Sequence, residues 1–310
     1  MTKVNPKIDL VFKKLFGSEE NKDILLSLIN SILPLKQQIA KIILKNPYNV
    51  SDYAEGKLSI LDIKAQDENG VLYDIEMQIR GSDFYGRRTL FYWAKMFGSQ
   101  LDYINDFDTA NEQIEELEKL AELEKQGKLG YSGLKKCIVI SLIDFNFFND
   151  HRYNRYFMLK DGATNEIHKD LDYLDLYFIE LKKFKAELQT VKTTLERWIT
   201  FLNNAHKYTK DNLPQELAEI KEIRKASLKL DTMYLDEKEK NYYDGQQKFL
   251  LDQNSRLKEA LEKGEIKGKI ETKTEIAKKL IRRNLTNEEI AEDTGLTPKQ
   301  IQELRNKLDK

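Results

Sequence analysis

Hydrophobic and polar positions alternate between residues 61 and 78, and the stretch LDIKAQDENGVLYDIEMQ predicts two β-strands around a turn. Side chains on a strand point alternately to its two faces. In the first strand Asp62, Lys64 and Gln66 share one face, while Leu61, Ile63 and Ala65 share the other. In the second, Asp74, Glu76 and Gln78 lie opposite Tyr73, Ile75 and Met77. A three-residue loop, Glu68-Asn69-Gly70, with Gly70 in the left-handed conformation, predicts the pairs Asp67–Val71, Lys64–Asp74 and Asp62–Glu76.

The rest of the pattern places this hairpin in an α/β domain. Leu10, Val11, Lys14 and Leu15 predict a short helix broken by Gly17. Ile24, Leu25, Leu28, Ile29 and Ile32 predict a second, ended by Pro34. IAKIILKN reads as a strand, and FYGRRTLFYWAKMFGSQLDYIN as an amphipathic helix rich in aromatics. The apolar run KKCIVISLIDF predicts a central strand buried on both faces, and YFMLKDG and LDLYFIEL add two more strands. A glutamate-rich helical insertion, TANEQIEELEKLAELEKQGK, is predicted at about 107–130, its charges expected to face solvent, with a partner-binding role as the alternative. After Lys185 the strand signals stop. The helical patterns LQTVKTTLERWITFLNNAH and PQELAEIKEIRKASLKL follow, then a long charged segment from about 236 to 283. This reading divides the chain into an α/β domain, 1–190, and an all-helical C-terminal region, 191–310. No linker rich in Gly, Pro or Ser marks the boundary, and no internal repeat is evident.

Composition narrows the function classes. The 310 residues are 40% hydrophobic and 33% charged, enough for a core under a heavily charged surface. The net charge of −1 announces no global basic field, though a basic patch can be local. A single cysteine, Cys137, rules out an intrachain disulfide and sits in an apolar run, which fits burial and a reducing compartment. No apolar run approaches the roughly 18 residues of a membrane span, and MTKVNPKIDLVFKK lacks a signal-peptide pattern, so a cytoplasmic protein is expected. His151, His168 and His206 show no ligand spacing, which disfavours zinc. GEIKGK lacks the Ser or Thr and the preceding strand of a phosphate-binding loop.

Candidate chemistry therefore centres on the hairpin. Two carboxylates directly opposite each other destabilise a sheet. A divalent cation between them reverses the sign, and Mg²⁺ takes hard oxygen ligands, including one or two carboxylates. The alternative is a polar strand surface facing solvent, and hairpin geometry alone leaves both open.

Six blocks in order, KIDLVFKKLFG, SILDIKAQ with its turn, YDIEMQ, RRTLFYWAKMFGSQL, CIVISLIDF and LYFIEL, resemble the Rpn family. These are recombination-promoting nucleases, long labelled transposases, of the PD-(D/E)XK superfamily. The resemblance covers roughly residues 3–185. It implies a restriction-endonuclease-like mixed sheet with an αβββαβ core, DNA as substrate, and Mg²⁺ or another divalent cation. By this resemblance Asp62 is the motif aspartate and Glu76 the second acid, and both hold the metal together with the backbone carbonyl of Met77. Gln78 stands where the wider superfamily often has lysine, is usual in this family, and would orient the attacking water. Lys64 would supply the positive charge that Gln78 lacks, or else pair with Asp74 across the strands. Asp9 is a candidate further acid on the first helix, or else a helix cap. Arg88, better than Arg87, matches the family arginine and suits phosphate, with plain surface charge as the alternative for each. Tyr92, Trp93 and Phe97 are expected to pack the helix onto the sheet. Gln100 fits a family block without a mechanical role.

At the C-terminal end, NLTNEEIAEDTGLTPKQIQELRNKL resembles a helix-turn-helix spanning 284–310. Thr286 with Glu289, and Thr297 with Gln300, form capping-box patterns around Gly295. Ile290, Ala291, Leu296, Ile301 and Leu304 supply its apolar contacts. Lys299, Arg305 and Lys307 against Glu303 leave DNA contact and a packing or oligomerisation role both open. Lys278, Lys279, Arg282 and Arg283 suit either a phosphate backbone or a solvated face. Leu250, Leu251, Leu257 and Leu261 are compatible with a homodimer through the helical C-terminal region. The leading expectation is a Mg²⁺-dependent DNA endonuclease. The alternative is a noncatalytic DNA- or partner-binding protein that keeps the nuclease fold. A true transposase needs strand joining, which usually calls for a different acidic triad on another fold.

Overall fold

The computed structural model describes residues 4–46, 48, 62–101, 130–209 and 211–308. The insertion expected at about 107–130 lies outside these residues except for Gly130. Two compact units are present, Met1–Asp244 and Gly245–Lys310.

In the first unit the leading apolar stripe forms α1 (Asp9–Phe16), closed where the Gly17 N–H donates to the Lys13 carbonyl at 2.7 Å. Helix α2 (Lys22–Ile32) buries Ile24, Leu25, Leu28, Ile29 and Ile32 and stops before Pro34. A six-stranded sheet follows, built from β1 (Ile42–Leu44), β2 (Ile63–Asp67), β3 (Leu72–Gln78), β4 (Cys137–Ile143), β5 (Asn154–Met158) and β6 (Leu174–Glu180). Its order is β1-β2-β3-β4-β6-β5. The β1–β2, β2–β3 and β5–β6 pairs are antiparallel, and the β3–β4 and β4–β6 pairs are parallel. This is the mixed sheet expected, with helix α3 (Tyr85–Gly98) between β3 and β4.

The hairpin has the expected register. Lys64 faces Asp74, the Asp67 N–H donates to the Val71 carbonyl at 3.1 Å, and Gly70 adopts φ 85°. The Asp67 carboxylate accepts from the N–H groups of Asn69 and Val71 inside the turn. A β-carbon at Gly70 would also stand 3.2 Å from the side chain of Lys135. Gly70→Ala is therefore expected to cost about 1–2 kcal/mol in urea denaturation. An unchanged midpoint would show that the turn tolerates another conformation.

Each face of the central strands has its own cover. On one, Val139, Ile143, Leu176 and Phe178 pack with Tyr85, Trp93 and Met96 of α3. Asp74 and Glu76 lie on this same face by register. On the other face Tyr73, Ile75, Met77, Ile138, Ile140 and Leu142 are buried, and the Tyr177 hydroxyl donates to Gln37 beyond α2. All seven residues of β4 are buried, as its unbroken apolar run predicts.

Beyond residue 190 the secondary structure changes, while the first compact unit continues to Asp244. Helix α4 (Thr194–Asn204) starts with a capping box between Thr193 and Glu196, and α4 and α5 (Lys221–Asp231) both pack on α2. Trp198 is fully buried beside Phe16 and Phe201, and its indole N–H donates to Ser27 at 3.2 Å. The long charged segment forms one helix, α6 (Glu237–Ile281). Its first turns are anchored in this unit: buried Glu239 accepts from Lys14 at 2.8 Å through both oxygens and from the Tyr48 hydroxyl.

In the second unit α7 (Asn287–Thr294) and α8 (Pro298–Leu308) pack on the end of α6. The shared core contains Ala277, Ile281, Ile290, Leu296 and Ile301. Thr286 and Glu289 form the capping box, Thr297 and Gln300 exchange hydrogen bonds, and Gly295 closes α7 at φ 65°. Arg305 spends its guanidinium on Asn287 and the Leu285 carbonyl, within this bundle.

Candidate active site

Asp62 directly precedes β2, and continuing the ladder by one pair sets it opposite Glu76. Its backbone is held from two sides. The Asp62 carbonyl accepts from Lys13 Nζ at 2.9 Å and from Asn46 Nδ2 at 3.0 Å. Asn46 Oδ1 also accepts from the Lys64 N–H at 2.8 Å. Lys13 is a buried cation spent on carbonyls, so α1 fixes where this strand begins. Neither Lys13 nor Asn46 stands out in the sequence.

Glu76 and Asp74 are each only 2% exposed, beneath α3, so the solvent-facing alternative does not hold for this face of β3. One oxygen of each, Glu76 Oε1 and Asp74 Oδ1, is buried without a hydrogen-bond partner. Burial pushes the Glu76 carboxyl up to about 8, the charges of Asp62 and Asp74 add to it, and Arg88 opposes. Asp74 is pushed up to about 7 by burial and then by Asp62. Asp62 is raised chiefly by burial, against Arg88, Lys64 and Lys13. Three acids thus hinder one another's ionisation.

Arg88 and Arg87 part company because neighbours on a helix point in different directions. Arg88 Nη2 lies 3.5 Å from Glu76 Oε2, and its guanidinium lies over the Tyr85 ring at 4.9 Å. Arg87 is exposed, over Phe84. Asp9 is not the helix cap, a position held by Ile8. Its Oδ1 accepts from the Leu10 N–H and its Oδ2 from the Tyr242 hydroxyl, both at 2.8 Å. Burial raises Asp9, and its charge is felt at Asp62. Gln78 is half-buried at the end of β3, where its carbonyl accepts from the Asp144 N–H at 2.9 Å. Met77 turns its side chain to the opposite, buried face. Lys64 is exposed, and no ion pair joins it to Asp74 among the described residues, although its charge lowers the pKa of both Asp62 and Asp74.

Gln100 has a mechanical role that sequence reading misses. Its Oε1 accepts from the Lys135 N–H at 2.8 Å and its Nε2 donates to the Lys135 carbonyl at 3.1 Å, pinning the entry to β4. Cys137 is buried, with its thiol pushed up to about 12, so it is packing material. Trp93 packs as expected: it stacks on Phe97 at 5.2 Å and donates to the Cys137 carbonyl at 3.2 Å. Tyr92 instead lines a cavity of about 980 Å³ that opens beside Asp62 and Asp74. Lys45, Lys64, Lys95 and Lys135 line it too.

These residues suit a hard divalent cation. The donors are carboxylate oxygens, two of them buried with no partner, in a cluster where added positive charge is favourable. Among the described residues no three His, Cys, Asp or Glu side chains form a ready-made cage.

A family model described as PD-(D/E)XK nuclease family transposase matches residues 6–120 and 117–260. The matched stretches contain the hairpin, the sheet, helices α4 and α5, and about half of α6. No curated protein and no solved structure matches the chain. No helix among the described residues is long and apolar enough to cross a membrane.

Proposed function

The chain belongs to the PD-(D/E)XK nuclease family transposases, and on that premise we propose that it is a divalent-cation-dependent endonuclease that hydrolyses DNA phosphodiester bonds. The observation that carries this reading is Glu76, buried with an unpartnered oxygen beside Asp62. Such a carboxylate is costly unless something positive joins it. Asp62 and Glu76 would hold the cation, with the Met77 carbonyl as a backbone ligand. When bound, the cation supplies positive charge to a phosphate oxygen and makes water more acidic. Gln78 orients the attacking water through its amide. Lys64 brings positive charge toward the phosphate from the neighbouring strand. Arg88 balances Glu76 before the cation arrives, and its fork then suits a phosphate oxygen. Asp9 tunes the field at Asp62. A role in recombination or in the upkeep of a mobile element accords with the transposase of the family description.

The test is cleavage of supercoiled plasmid in Mg²⁺, with and without EDTA. Nicked or linear product that EDTA abolishes is the expected result. DNA retained without any cleavage, under varied cations and substrates, would replace this reading with the noncatalytic DNA-binding one.

A further inference from the structure

We propose that Lys45, Lys64, Lys95 and Lys135 form a track for the phosphate backbone of the DNA strand that reaches Asp62 and Asp74. This rests on the nuclease reading above and names the side from which its substrate enters. The four lysines line one cavity, yet they come from the end of β1, from β2, from α3 and from the segment before β4. All four are exposed. None forms an ion pair among the described residues, whereas Lys7, Lys14, Lys136, Lys183, Lys225 and Lys229 are each paired with an acid. In a chain of net charge −1, one cavity wall therefore carries four uncommitted cations against two carboxylates, Asp62 and Asp74.

The lysines stand on fixed supports. The Lys45 N–H donates to the Lys64 carbonyl at 2.8 Å, which sets these two on neighbouring strands. Lys64 faces Asp74 in the ladder. Gln100 pins the Lys135 backbone, and the Lys135 stem lies against Gly70. Lys95 projects from α3, about one turn beyond Tyr92 and two beyond Arg88. Lysine is a point charge with no bidentate geometry, so such a track holds phosphates without reading bases. Like charges on four separate elements repel one another unless a polyanion lies between them. The two acids sit where a bound cation would cancel their repulsion of that polyanion.

The test measures binding of a labelled DNA duplex to the full chain by fluorescence anisotropy across a NaCl series, in Ca²⁺. The quadruple variant Lys45→Gln/Lys64→Gln/Lys95→Gln/Lys135→Gln is compared with Lys41→Gln/Lys160→Gln/Lys169→Gln/Lys192→Gln. The second set removes the same charge from exposed positions outside the cavity. The cavity variant is expected to lower the slope of log affinity against log salt by about 3–4, near 0.9 for each phosphate no longer neutralised. It is also expected to weaken binding at least about tenfold on every sequence tried, with the control set close to wild type. Equal losses in both quadruple variants would overturn the track and leave the nuclease reading intact. Plasmid cleavage by a wild type whose binding ignores salt would do the same. Absence of both binding and cleavage in wild type would overturn the nuclease reading itself.

Discussion

Asp62→Ala and Glu76→Ala are each expected to lower Mg²⁺-dependent plasmid cleavage by roughly a thousandfold or more, while both proteins stay folded. The loss follows from their position: Asp62 is fixed by Lys13 and Asn46, and Glu76 is fixed by burial and Arg88. Neither carboxylate supports the fold through hydrogen bonds comparable to those of Glu239 or Glu180. Removing one acid also relieves the repulsion within the trio, so circular dichroism and melting should show no collapse. Glu166→Ala, an exposed change far along the sequence in a turn, is the control and should cleave normally. DNA affinity in Ca²⁺ separates chemistry from binding. A variant that binds but does not cut places its carboxylate in the chemical step. Undiminished cleavage in both variants would sink the assignment of these residues.

The second large effect concerns pH. Asp74 and Glu76 have folded-state pKa values near 7 and near 8, above the ordinary carboxylate range, chiefly because burial disfavours their charged forms. The folded protein therefore holds these protons more tightly than the unfolded chain does. Their stabilising contribution is full below about pH 4 and is lost as pH rises through 7 and 8. Without a divalent cation, the melting temperature should fall between about pH 5 and 9, by an amount worth on the order of a few kcal/mol. Mg²⁺ should restore stability above pH 7 and do little at pH 5, because it competes with protons for the same oxygens. Glu76→Gln and Asp74→Asn should flatten the metal-free profile and reduce the Mg²⁺ gain. Thermal melts from pH 5 to 9 in EDTA and in Mg²⁺ measure both effects. A flat metal-free profile, or a Mg²⁺ gain independent of pH, would show that the acids are not protonated in the fold.

The hairpin was legible because its turn leaves little freedom. Gly70 must be where the chain turns left-handed, and alternation then fixes that Lys64 meets Asp74. The central strand was legible because seven consecutive buried residues need no alternation. The burial of Asp74 was not. Alternation assigns it to a polar face, and it gives no sign that α3 lies on that face. A signal was present, since an aromatic-rich helix must cover something and follows directly on β3. The four cavity lysines were illegible for a different reason: they are scattered over 91 positions, from 45 to 135, and only the sheet order brings them to one wall. Gln100 sits in a recognisable block, but its clamp on Lys135 depends on where β4 begins. The family resemblance already favoured Arg88 over Arg87, and the helix phase that turns Arg88 toward Glu76 supplies the physical reason.

Helix α6 bears on how the protein can be cut down in the laboratory. A fragment ending near residue 190, where the strands stop, looks like a natural minimal nuclease. It would lack Trp198, the aromatic plug against Phe16, and Tyr242, the hydroxyl partner of Asp9. It would also strand Lys14 without Glu239. Trimming from the other side of Asp244 leaves all three in place, so the smallest active fragment should end beyond the first two turns of α6, about fifty residues later than the last strand suggests.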